Sequence, residues 1–264
     1  MKLAKYNNIK KLALLSLSIL ILSCNNDRPK DFNQEANVGI ENANKNAINK
    51  DSLAALKVYQ DSVYFSGPKI LIITTKGEMI FKLYNNTPLH RDNFLKLITA
   101  KYFDNHKFHR ILKNFMIQTG DPNSKDENPQ NDGFGGPEYK IPAEINPAFF
   151  HKRGALSAAR KNNDINPNRE SNGSQFYIVD GEIFKPTHPI YDQLTNISEK
   201  AKAQYASLGG APQLDGEYTV FGEIITGLDV IEKIANSPVE ANPYSGEMAM
   251  PTKPVKIITI KEIK

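Results

Sequence analysis

Apolar and polar positions divide the chain into three stretches of different character. The first is an almost unbroken apolar run, Leu12 to Leu22, which follows Lys2, Lys5, Lys10 and Lys11 and stops at Ser23-Cys24. A run this short falls below the roughly 20 residues a spanning helix needs, and the basic residues before it give it the layout of a signal peptide over residues 1–23. From Asn25 to Asn49 the chain is rich in Asn, Asp, Glu and Lys, with few large apolar residues, and reads as a solvated tether. Leu53, Leu56, Val58 and Tyr59 then recur at nearly helical spacing within residues 51–65, predicting a short helix before residue 69.

The third stretch, residues 69–264, carries the patterning of one folded domain. Two β-rich runs, Lys69 to Thr75 and Met79 to Tyr84, flank Lys76-Gly77-Glu78 and predict a hairpin. Thr87-Pro88 offers an N-cap with proline at the first helical position, and Phe94, Leu97 and Ile98 give the helix that follows one buried face. A second helix is expected over Gly227 to Ala235, with Val230, Ile231 and Ile234 on one side, and a last strand over Val255 to Ile260. Between them lie short strand-like runs separated by Gly, Asn and Pro. Many short strands with few helices predict a mainly β fold, a closed antiparallel barrel capped by two helices. Ser198 to Leu208, followed by Gly209-Gly210, reads as a capped helix within Asp180 to Pro212.

Charge and cysteine content narrow the chemistry. The net charge of +4 rests on the four leading lysines, since 33 Lys+Arg less four leaves 29 against 29 Asp+Glu. A mature chain without them is formally neutral, so no nucleic-acid footprint is expected. Cys24 is the only cysteine, which excludes an internal disulfide, a CxxC redox pair and a cysteine zinc site. Ile21-Leu22-Ser23-Cys24 resembles the bacterial lipobox, which implies a diacylglycerol on Cys24 and a lipid anchor to a membrane of the cell envelope, expected to be the periplasmic side of the outer membrane. His106 and His109 stand three apart with His90, His151 and His188 scattered, so no metal is expected. Ser174 lies in G-S-Q-F rather than a G-x-S-x-G elbow, which argues against a serine hydrolase.

Three segments carry the remaining signal. They are Phe108-His109-Arg110-Ile111-Leu112-Lys113-Asn114-Phe115-Met116-Ile117-Gln118-Thr119-Gly120-Asp121, then Leu156-Ser157-Ala158-Ala159-Arg160 with Asn172-Gly173-Ser174-Gln175-Phe176-Tyr177-Ile178, then Leu214-Asp215-Gly216-Glu217-Tyr218-Thr219-Val220-Phe221-Gly222. With Gly133-Phe134-Gly135-Gly136 between the first two, they resemble, in order, the signature blocks of the cyclophilin-type peptidyl-prolyl cis-trans isomerases. The resemblance implies an eight-stranded barrel and an enzyme that rotates X-Pro peptide bonds in unfolded or partly folded chains, as a monomer and without a cofactor. It makes Arg110 the catalytic residue and assigns substrate binding to Phe115, Met116, Gln118, Ala159, Arg160, Gln175, Tyr177, Leu214 and Tyr218. His109 is expected to pack rather than react, Phe108 and Phe176 to lie in the core, and Asn172-Gly173-Ser174 to form a turn.

The chain departs from many members at several of these positions. Gln213 stands where they have tryptophan, Tyr177 where phenylalanine is commoner and Tyr218 where histidine is frequent. The added Tyr177 hydroxyl needs a hydrogen-bond partner. Asp180 to Pro212 is expected to be a long helical insertion relative to compact members, and Asn162 to Arg169 a smaller one.

Overall fold

The computed structural model describes residues 66–194 and 197–264. The expected signal peptide, the lipid-accepting Cys24, the tether and the short helix at residues 51–65 lie outside the described residues. Strands β1 (Lys69–Thr74) and β2 (Gly77–Leu83) form the predicted hairpin, paired from Lys69 opposite Lys82 to Thr74 opposite Gly77. Alternation works as the period of two requires: Ile70 and Ile72 on one strand and Met79, Phe81 and Leu83 on the other are all buried.

Helix α1 (Pro88–Thr99) buries His90, Phe94, Leu97 and Ile98. Thr87 stands at the N-cap position, but its hydroxyl donates back to the Tyr84 carbonyl rather than capping the helix. The first-turn amides of Leu89 and His90 instead donate to the Glu144 carboxylate, at 3.0 and 2.9 Å. A carboxylate is well suited there because it satisfies orphan donors and complements the helix dipole.

Further along the chain come β3 (Arg110–Leu112), β4 (Met116–Thr119), β5 (Lys140–Ile141), β6 (Ala155–Ala158), β7 (Ser171–Asn172) and β8 (Phe176–Val179). Helix α2 (Glu199–Ser207), β9 (Val220–Thr226), α3 (Leu228–Ala235), β10 (Val239–Ala241), β11 (Met248–Pro251) and β12 (Ile257–Ile263) complete the order. Eight strands make one sheet in the order β12-β1-β2-β9-β6-β8-β4-β3, while β5 pairs with β7 and β10 with β11.

The sheet is open, which corrects the expected closed barrel. It curls toward closure, but β3 has only three residues, and Asn105, with φ of 68°, turns the chain just ahead of it. The seam to β12 is therefore spanned by isolated bonds, Asn105 N–H to the Ile257 carbonyl and Phe108 N–H to the Val255 carbonyl, both 2.9 Å. Among the described residues three α-helices are present rather than two caps.

The third helix, α2, belongs to the segment from Asp180 to Pro212. Its nine residues start from Ser198, whose hydroxyl accepts the Ala201 N–H, as the sequence predicts. Apart from α2 and a short 3-10 turn at Pro189–Gln193, the segment between β8 and Ala211 is irregular over its described residues, so it is less helical than expected. Among the described residues no helix is long and apolar enough to cross a membrane.

Two apolar clusters lie on opposite faces of the sheet. Phe176 and Ile178 of β8, Ile117 of β4 and Leu156 of β6 join Phe94, Leu97, Ile231 and Ile234 of α1 and α3 in the larger one. Phe108 is there as well, as expected. The alternate residues, Met116, Tyr177, Val179 and Ala155, face the other way and gather in the second cluster. Period-two alternation thus separates residues that hold the fold from residues free to form a surface site.

Candidate active site

The second cluster brings together residues far apart in the chain. Buried Met116, Ala159 and Tyr177 pack with the half-buried Phe115, Leu214 and Tyr218. β4 supplies Met116 and β8 supplies Tyr177, and the two strands are hydrogen-bonded neighbours. Phe115 is held at the β3–β4 turn, where its carbonyl accepts the N–H groups of Asp180 and Gly181 at 3.1 and 3.0 Å. The Asp180 carboxylate accepts the Asn114 N–H in return, at 2.8 Å. Leu214 ends a short 3-10 turn, and Gln213 beside it is exposed.

Arg110 sits at the rim of this wall. It is the cross-strand partner of Gln118, which pairs in turn with Tyr177, so the three lie in one row across β3, β4 and β8. The guanidinium Nη1 lies 4.0 Å from the Met116 sulfur. Nε and Nη2 donate to the two carboxylate oxygens of Glu247, at 2.6 and 2.9 Å. Those bonds hold the Glu247 carboxyl below the usual glutamate range. Glu247 was not legible as a site residue, since it lies 137 positions from Arg110 in a stretch without a motif.

The polar side of the site is braced from behind. Gln118 Nε2 donates to Gln175 Oε1 at 2.9 Å, and Gln175 Nε2 donates to the carbonyls of Gly133 and Gly135. Gln175 is buried, so its amide fixes the glycine-rich loop and orients Gln118. The Ala159 N–H donates to the Gln175 carbonyl and its own carbonyl accepts the Asn172 N–H. Both Ala159 backbone groups are occupied within the fold; among the described residues the Arg160 peptide has no backbone partner. The Arg160 side chain is buried, donates to the carbonyl and carboxylate of Glu217, and lies 4.3 Å from the Tyr218 ring centroid. It stiffens the Tyr218 wall rather than reaching outward. Asn172 forms the expected turn, its Oδ1 accepting the N–H groups of Ser174 and Gln175.

The Tyr177 hydroxyl has its partner in His151 Nε2, at 2.9 Å. His151 Nδ1 bonds Asp215 Oδ1 at 2.9 Å, and Tyr205 of α2 donates to Asp215 Oδ2 at 2.6 Å. A carboxylate only accepts, so Nδ1 carries the proton and Nε2 accepts from Tyr177. His151 and Tyr205 are fully buried. This polar chain ties α2 to the apolar wall that holds Tyr177. Gly210 makes room for it, since a Cβ there would meet the His151 carbonyl and the Tyr205 ring at 2.4 Å. His151 looked like one of several scattered histidines in the sequence.

His106 and His109 play no such part. Burial pushes the His109 imidazole down to about 4 and the His106 imidazole down to about 3, so both are neutral in ordinary conditions.

The sequence profile described as cyclophilin type peptidyl-prolyl cis-trans isomerase/CLD matches residues 69–262. The chain belongs to the cyclophilin-type peptidyl-prolyl cis-trans isomerases. A relative from Staphylococcus saprophyticus, assigned by name to the peptidyl-prolyl cis-trans isomerases, is 35% identical over 202 residues, covering 74% of this chain and 90% of its own. One from Staphylococcus aureus strain COL, named likewise, is 36% identical over 177 residues, covering 65% of this chain and 82% of its own. A crystal structure of a Cryptosporidium parvum cyclophilin superposes with a TM-score of 0.55 at 27% identity, covering 75% of this chain and 98% of that one. The same cyclophilin has been determined in the presence of the dipeptide Ala-Pro.

Proposed function

We propose that this cyclophilin turns X-Pro bonds in exported polypeptides while held at the cell envelope by a lipid on Cys24, on the periplasmic side of the outer membrane, acting as a monomer. Within its site Arg110 is the catalytic residue. Phe115, Met116, Tyr177, Leu214 and Tyr218 grip the proline ring, and Gln118 and the Arg160 peptide hold the chain on either side. One observation carries the assignment: a charged donor, Arg110 Nη1, stands 4.0 Å from Met116 Sδ at the edge of the apolar cluster that holds those residues.

The chemistry follows from the amide. Conjugation of the prolyl nitrogen with the carbonyl sets a barrier of about 18–20 kcal/mol. Twisting the bond removes that conjugation and frees the nitrogen lone pair, creating an acceptor that neither planar isomer has. A guanidinium fixed beside the ring binds that twisted state selectively, and it cannot lose its proton. The apolar wall holds the ring while the preceding residue turns. No bond to the enzyme forms or breaks, so the reaction needs no cofactor.

The purified protein should accelerate cis-to-trans conversion of a proline-containing peptide in a protease-free assay. Envelope tethering is tested separately. Cys24→Ala should move the protein from the membrane fraction to the soluble fraction, and a variant that still pelleted and matured like the unaltered chain would refute the lipid anchor.

A further inference from the structure

The Arg110 guanidinium is not loose at the rim. Two of its three nitrogens are held by Glu247, in a side-on pair with both oxygens engaged, and only the Nη1 edge is turned toward Met116 and the proline wall. Glu247 itself is set by a compact turn between β10 and β11. Asn242 Oδ1 accepts the N–H groups of Tyr244 and Ser245, and the Asn242 N–H donates to the Glu247 carbonyl at 2.8 Å. The Tyr244 ring then meets Phe134 of the glycine-rich loop edge to face, centroids 4.9 Å apart. That loop is the one Gln175 holds beside Gln118. The turn carrying Glu247 is thus fastened to the frame that orients the rest of the site.

We infer that Glu247 is a positioning residue for the isomerase reaction, fixing the Arg110 guanidinium so that its Nη1 edge faces the twisting prolyl nitrogen. The physical argument is one of orientation. An arginine side chain has several rotatable bonds, and rotamer entropy is lost when it is frozen. If Glu247 has already frozen it, that loss does not recur each time the peptide bond twists. The pair contributes little to folding, because both side chains are more than a third exposed and such pairs are worth little in water. Its effect therefore falls on turnover and not on stability.

A different role for the same contact, a lock that peptide must break before Arg110 can act, makes the opposite forecast. Glu247→Gln keeps the shape but loses the charge and one of the two acceptor oxygens that meet Nε and Nη2. Under positioning, kcat should fall about five- to tenfold with KM changed less than twofold, since one charge-assisted bond of the pair is lost. The melting temperature should stay within about 2 °C. In an Arg110→Ala background the same substitution should have no further effect on kcat, the coupling expected when one residue acts through the other. The Arg110 Nε–H resonance should move in Glu247→Gln and persist in the unaltered protein saturated with a proline peptide.

The inference is overturned if Glu247→Gln turns over as fast as the unaltered protein or faster, if it costs as much with Arg110 absent as with it present, or if peptide displaces the Arg110 Nε–H signal. It rests on Arg110 being the donor. If Arg110→Ala retains full activity, that reading fails as well; if Arg110→Ala is impaired while Glu247→Gln is not, only the role of Glu247 fails.

Discussion

Asp215→Ala should destabilise the domain by about 4 kcal/mol and lower its melting temperature by roughly 8–16 °C. The Asp215 carboxylate accepts three bonds, from the His151 backbone N–H at 2.9 Å, from His151 Nδ1 at 2.9 Å and from the Tyr205 hydroxyl at 2.6 Å. The donors belong to two residues with no solvent exposure. Truncation leaves those donors unsatisfied where water has little access, and each costs about 1–3 kcal/mol, with some overlap because they share one partner. The loss should spread to activity, because His151 also receives the Tyr177 hydroxyl and so holds a wall of the proposed proline site. Urea titration of the variant checks the first point. A loss below about 1 kcal/mol would mean that solvent replaces the carboxylate and that α2 is not tied to the pocket through it.

Arg110→Ala should lower kcat/KM by ten- to a hundredfold. In the proposed mechanism the side chain contributes one charge-assisted hydrogen bond to the twisted state, worth about 1.5–3 kcal/mol, and each 1.36 kcal/mol is about a factor of ten in rate. Folding should be almost unchanged, since the guanidinium is 35% exposed and the Glu247 carboxylate it leaves behind is 38% exposed and can be hydrated. Arg110→Lys should recover little, because an ammonium is a point charge and cannot grip both oxygens of Glu247 while presenting another edge to the peptide. A protease-free isomerisation assay decides the matter: turnover of Arg110→Ala at the rate of the unaltered protein would remove Arg110 from the mechanism.

How far the sequence revealed this arrangement depends on whether the cause was local. The first hairpin, both amphipathic helices around Phe94 and Ile231, and the Ser198 cap came from period and capping chemistry, which act within a few residues. The motif blocks named Met116, Tyr177 and Leu214, which the structure gathers in one apolar cluster, because each stands in a short run with its own pattern. What was missed came from distant partners. Glu144 displaces Thr87 as the cap of α1 across 55 positions, and Glu247 reaches Arg110 across 137. Neither carboxylate has a local pattern that announces its role. The open seam has the same origin, since a three-residue β3 and the backward-turning Asn105 limit pairing with β12, and nothing in apolar alternation encodes that. His151 was one histidine among five until its ring was found between Tyr177 and Asp215.

The pairing of β1 with both β2 and β12 has a consequence for the life of the chain as it is made. A polypeptide synthesised or exported from its N-terminus has β1 and β2 available early, but β12, which covers the other edge of β1, is the last strand of the sheet to arrive. Until Ile257–Ile263 is delivered, β1 presents a row of unpaired amides and carbonyls together with the apolar residues of its face. Contacts this remote in sequence form slowly, because the whole intervening loop must be closed first. A nascent copy therefore carries an open edge until β12 is made, and a copy truncated before Ile257 should be cleared by proteolysis rather than accumulate as a partly active enzyme.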